Sequence, residues 1–99
     1  MITPLSIEER SHAIAGLDNW SYDDERKALF RHIEFKNFSE AIGFMVRVAI
    51  IAEVADHHPE WANVYNRLDI WLTTHDAGGV SARDLILAKQ IDDILISRA

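Results

Sequence analysis

The chain has 99 residues, a formal net charge of −6, 48% hydrophobic and 26% charged residues, and no cysteine. It is read as one globular domain rather than a disordered segment. With no basic block to neutralise phosphates, no thiolate chemistry, no signal pattern in "MITPLSIEER" and no apolar run near the roughly 20 residues of a membrane span, the expectation is a cytoplasmic protein without direct nucleic-acid or membrane binding.

A first helix is expected over 7–15, because Ser6 and Glu9 have the spacing of a capping box and Gly16 offers a stop. In "NWSYDDERKALFRHIEFKNF", turn-forming Asp23 and Asp24 separate two stretches of strand-like composition. Leu29, Ile33 and Phe35 fall on one side and His32, Glu34 and Lys36 on the other, which reads as a β-hairpin with Phe30 and Arg31 as exceptions. A long helix follows over 39–56, with Asn37 and Ser39 both available as caps and Pro59 beyond its end. Its apolar residues surround most of the circumference, so more than one surface must cover it.

Beyond Pro59, Leu68, Ile70 and Leu72 alternate with Asp69, Trp71 and Thr73 as in a strand, which Gly78 and Gly79 break. Ser81 caps a final helix and places Asp84 at its third position, where a negative charge suits the helix dipole. The order is helix, two strands, helix, one or two strands, helix. It implies an α+β domain, an antiparallel sheet of three to four strands with three helices packed on one face.

The chain has five histidines. His12 and His32 stand alone among polar neighbours and are read as surface residues. Glu53 and His57, four residues apart, share a helical face, so the carboxylate is expected to reach the imidazole. His58 points about 100° away around a regular helix, which leaves the two adjacent rings poorly placed to chelate one ion. There is no HExxH pattern, so a zinc site would need distant ligands. Taken singly, these histidines could merely end a helix and decorate a loop. Proton transfer would instead need imidazoles that titrate near neutrality, flanking carboxylates, and flat surfaces for a substrate. Glu53, Asp56, Asp84, Trp20, Trp61 and Tyr65 could supply the last two.

The run "EVADHHPEWANVYNRLDIWLTTHDAGGVSARD" resembles the signature of the pterin-4a-carbinolamine dehydratases. Glu53, His57, His58, Pro59, Tyr65, His75 and Asp84 fill its slots at matching distances, and "LSIEER", Trp20, "FKNF" and "GFMVRVAIIAE" extend the likeness from Leu5 onward. The resemblance implies a hydro-lyase that dehydrates a 4a-hydroxytetrahydropterin to the quinonoid dihydropterin. This step recycles the pterin used by aromatic amino acid hydroxylases, with no metal or other cofactor. It also implies that His57 and His75 form the acid/base pair, that His58 binds and orients the pterin, and that Glu53 and Asp84 support the imidazoles. Trp20 and Pro59 would form apolar walls, and Asp56, Thr73, Thr74 and Asp76 would make polar contacts to the ring. A homodimer or homotetramer is expected, formed through sheet edges and through the long helix. The alternative from another class is a non-catalytic interaction module, a transcriptional coactivator or an assembly factor, which would not require the proton-transfer groups.

Overall fold

The computed structural model describes residues 2–97. Helix α1, Ile7–Ala15, opens with the expected reciprocal cap: Ser6 Oγ accepts from the Glu9 N–H and the Glu9 carboxylate accepts from the Ser6 N–H. Gly16 closes the helix. The hairpin follows as β1, Ser21–Asp23, and β2, Ala28–Glu34. Helix α2, Phe38–Ala55, uses Asn37 rather than Ser39 as its N-cap, and the Asn37 side chain accepts from the Glu40 N–H at 2.9 Å. The chain continues through β3, Glu60–Val64, β4, Arg67–Leu72, a 3-10 turn, His75–Ala77, and α3, Ala82–Ser97.

The four strands form one antiparallel sheet in the order β1-β2-β4-β3, with the three helices on one face. On that face Leu29 and Ile33 of β2 and Leu68, Ile70 and Leu72 of β4 meet Phe44 and Val48 of α2 and Leu87 and Ile91 of α3, all buried. Period two holds through both residues that looked exceptional in β2. Arg31 is on the helical side, where its guanidinium pairs with Asp92 of α3, and Phe30 lies on the open side against Trp71, ring centres 5.2 Å apart. The N-terminal segment is tied to the start of α3 by the Leu5 N–H, which donates to the Val80 carbonyl at 2.9 Å.

Helix α2 is apolar around most of its circumference, interrupted by Arg47 and Glu53, and only one side is covered within the chain. Ala41, Phe44, Val48 and Ala52 are buried, whereas Ile42, Val46, Ile50 and Val54 form an open stripe on which Ile50 is 61% and Val54 85% exposed. Among the described residues no helix is long and apolar enough to cross a membrane.

Candidate active site

The end of α2 determines where the two adjacent histidines go. Asp56 adopts the left-handed conformation (φ 51°, ψ 43°), and both its N–H and that of His57 turn back to the Ala52 carbonyl. This is a Schellman-type ending, in which one αL residue redirects the chain and satisfies the last carbonyls. Pro59 prevents the helix from resuming. From α3, Arg83 reaches across and its Nη2 donates to the Asp56 carbonyl at 2.7 Å, which fastens this bend to the neighbouring helix.

His57 therefore faces α3 rather than Glu53. Its Nε2–H donates to Asp84 Oδ1 at 2.5 Å. Asp84 is fully buried, and its other oxygen accepts from Thr74 Oγ1 at 2.8 Å and from the Ser81 N–H at 2.9 Å. Thr74 and Ser81 share a further hydroxyl contact at 2.7 Å. The expected partnership of Glu53 with His57 is corrected: Glu53 instead accepts from Nε2 of His58 at 2.7 Å, because the left-handed Asp56 ends the helical spacing on which the i,i+4 pairing depended.

His75, at the start of the 3-10 turn, pairs through Nε2 with Glu60 Oε2 at 2.8 Å. All three histidines thus hold an acid through Nε2, and among the described residues no hydrogen bond engages their Nδ1 atoms. They differ in rigidity. The His57 pair is buried, whereas the His58 and His75 pairs stand in solvent, where an ion pair contributes little and the side chains reorient readily.

The three rings border one open groove of about 380 Å³, also lined by Asp56, Pro59, Thr73, Thr74 and Asp76, together with Glu60 and Arg83. A cleft of this size suits a small molecule. Most of the residues singled out from sequence meet there. Five do not: Asp84 is fully buried behind His57, Glu53 stands behind His58, Trp61 lines the neighbouring groove along α2, Tyr65 is exposed in the β3–β4 turn, and Trp20 is 5% exposed in the core, with its indole N–H donating to Asp92 at 2.8 Å. Glu60 and Arg83 were not anticipated. Arg83 is adjacent to Asp84 in the first turn of α3 and could have been suspected there, but only the pairing of β3 with β4 brings Glu60 to His75. Among the described residues no three histidine or acidic side chains gather as a metal ion would need.

The chain matches the family model described as pterin 4 alpha carbinolamine dehydratase over residues 3–94. The chain belongs to this family. A Rhizorhabdus wittichii relative named for the same dehydratase is 56% identical over 91 residues, covering 92% of this chain and 94% of its own. A Bradyrhizobium relative with the same name is 50% identical over the full length of both chains, 99 residues. Among solved structures, the transcriptional coactivator/pterin dehydratase of Brucella melitensis superposes with a TM-score of 0.90 at 43% identity, over 93% of this chain and 98% of that one.

Proposed function

We propose that this member of the dehydratase family removes water from a 4a-hydroxytetrahydropterin in the groove, with His57 and His75 as the acid/base pair. The C4a–O bond breaks as one proton is delivered to the departing hydroxyl. A ring-nitrogen lone pair forms the new C=N bond, and that nitrogen gives up its proton to yield the quinonoid dihydropterin and water. Both transfers suit imidazoles working near neutral pH. The observation that carries this reading is the buried His57–Asp84 pair, which fixes one imidazole at the groove with Nε2–H tied down. Thr74 and the Ser81 N–H hold Asp84 in turn, so the ring orientation rests on a network closed within the protein.

In this reading His58, paired with Glu53, orients the pterin, Pro59 supplies an apolar wall, and Asp56, Thr73, Thr74 and Asp76 are the nearest polar contacts for the ring edge. Trp20 acts from the core, by holding Asp92 against the sheet, rather than as a wall. The open stripe of α2 supports self-association as a dimer or tetramer. It continues into a broad apolar groove of about 720 Å³ that includes Val46, Ile50, Val54 and Trp61 and ends at Glu53 and His58, so a neighbouring subunit would close one flank of the site. A cytoplasmic setting without nucleic-acid contact fits a cysteine-free chain of net charge −6. A purely interaction role, suggested by the first half of the Brucella protein's title, would not call for the closed His57–Asp84–Thr74 network.

The test is turnover by the purified protein. Quinonoid dihydropterin should form from 4a-hydroxytetrahydropterin faster than by spontaneous water loss, and equally fast after exhaustive chelation. A rate equal to background would remove the dehydratase reading, and activity lost to chelator and restored by zinc would replace the acid/base pair with a metal.

A further inference from the structure

Beside the histidine groove is a second one of about 300 Å³, lined by Arg26, Lys27, Glu60, Thr73, His75, Gly78 and Gly79. The two grooves share Glu60, Thr73 and His75, so they form one continuous trough that leads from the imidazoles to the β1–β2 turn. Nothing in the dehydration step requires cations at that end. Yet in a chain of net charge −6 the trough terminates in two adjacent basic residues, and among the described residues neither Arg26 nor Lys27 has an acidic partner in an ion pair.

The turn that carries them is built, not loose. Asp23 Oδ1 accepts from the N–H groups of Glu25 and Arg26 at 3.1 and 3.0 Å, and its Oδ2 accepts from the Trp71 indole at 3.0 Å. The Arg26 guanidinium lies 3.8 Å from the centre of the Trp71 ring, a cation–π contact that holds it over the sheet, and among the described residues no side-chain hydrogen bond engages its N–H donors. Lys27 sits at φ 54°, and its carbonyl accepts from Thr73 Oγ1 at 2.8 Å, so the turn is clamped to the end of β4 that borders the histidines. Carboxylates nearby would oppose an anion: Glu60 lines the trough, and Asp23, Asp24 and Glu25 precede Arg26 in the same turn, where the Arg26 charge already acts on Asp23. Glu60 is engaged by His75, and Asp23 is engaged by two backbone N–H groups and an indole.

From this trough we infer a substrate specificity that rests on the proposed dehydratase reading: the preferred pterin carries an anionic group on its ring substituent, which Arg26 and Lys27 receive while the ring lies among the histidines. The shared chemistry is a phosphate or carboxylate oxyanion. A guanidinium and an ammonium beside it bind such a group through charge-assisted hydrogen bonds.

Calorimetric titration of the intact protein tests this with three stable probes: 6-hydroxymethyl-7,8-dihydropterin, its phosphate monoester, and 7,8-dihydrofolate, whose anions are carboxylates on a longer arm. At low salt at least one anionic probe should bind on the order of tenfold tighter than the neutral one. That preference should shrink toward unity in about 1 M salt and in the Arg26→Gln/Lys27→Gln variant. Whichever anionic probe shows the advantage identifies phosphate or carboxylate as the group. The salt comparison uses only the wild-type protein and stands even if the variant fails to fold. Equal affinity for all three probes, or a preference indifferent to salt, overturns the inference and leaves the dehydratase reading intact. Failure of every probe to bind overturns both.

Discussion

Asp84 is the residue whose replacement separates structural from chemical roles most cleanly. Its carboxylate accepts from the His57 ring, the Thr74 hydroxyl and the Ser81 N–H, and no part of it reaches solvent. In Asp84→Ala the Thr74 hydroxyl can still turn to Ser81 Oγ, 2.7 Å away. The Ser81 N–H has no such alternative, and an unsatisfied buried donor costs about 1–3 kcal/mol. Loss of the charge-assisted bond to His57 adds about 1.5–3 kcal/mol, less what water at the groove returns. The sum is roughly 3–5 kcal/mol, against a total of about 5–15 kcal/mol for a domain of this size. Asp84→Asn keeps the volume and one acceptor, so its stability loss should be only about 1–2 kcal/mol. However, its amide NH2 can bond His57 Nε2 only if the ring proton moves to Nδ1, which changes the tautomer that the ring offers a substrate. Urea unfolding at neutral pH should therefore rank wild type, Asn, Ala, while kcat should fall on the order of 10²-fold already in the Asn variant. An alanine variant destabilised by less than about 1 kcal/mol, or an asparagine variant with near wild-type kcat, would refute the reasoning.

His58→Ala should raise KM with little change in kcat, because an exposed orienting contact acts alike in ground and transition states; a fall in kcat alone would make His58 a proton carrier. Ile50→Glu places a charge in the open stripe of α2 and should lower the oligomeric state measured by light scattering, and an unchanged mass would show that this face is not an interface. His32 is held above its usual pKa of 6.5 first by the hydrogen bond from Nδ1 to Asp69 and then by that to Glu34. Its contribution to folding is therefore fully present below about pH 6.5 and fades as the pH rises through the raised value. In denaturant titrations the wild type should lose more stability on going from about pH 6 to about pH 9 than Asp69→Asn does, and parallel profiles would contradict this.

Period two was legible through β2 and β4 because both strands are covered on one side only, and Leu29, Ile33, Leu68, Ile70 and Leu72 mark that side without ambiguity. The edge strand β3 was not legible. Glu60–Val64 is short, none of its side chains is fully buried, and its register comes from β4 rather than from its own pattern. The site divides in the same way. His57, His58, His75 and Asp84 were singled out by the family resemblance of the run that carries them, whereas the partner of His57 was not legible, since one left-handed residue, Asp56, turned His57 from Glu53 to Asp84. Trp20 illustrates the opposite limit: an aromatic residue suited to a substrate wall is claimed by Asp92, a half-buried partner 72 residues away that no local pattern reveals.

The central claim is that His57 and His75 carry the protons, and the double variant His57→Ala/His75→Ala tests it most directly, since either histidine alone could partly substitute for the other. Its kcat should be measured after subtraction of spontaneous dehydration, with folding and oligomeric state verified alongside. A fall of at least about 10²-fold toward background is the expected result. Near wild-type kcat in a folded protein of unchanged oligomeric state would exclude proton transfer by these side chains.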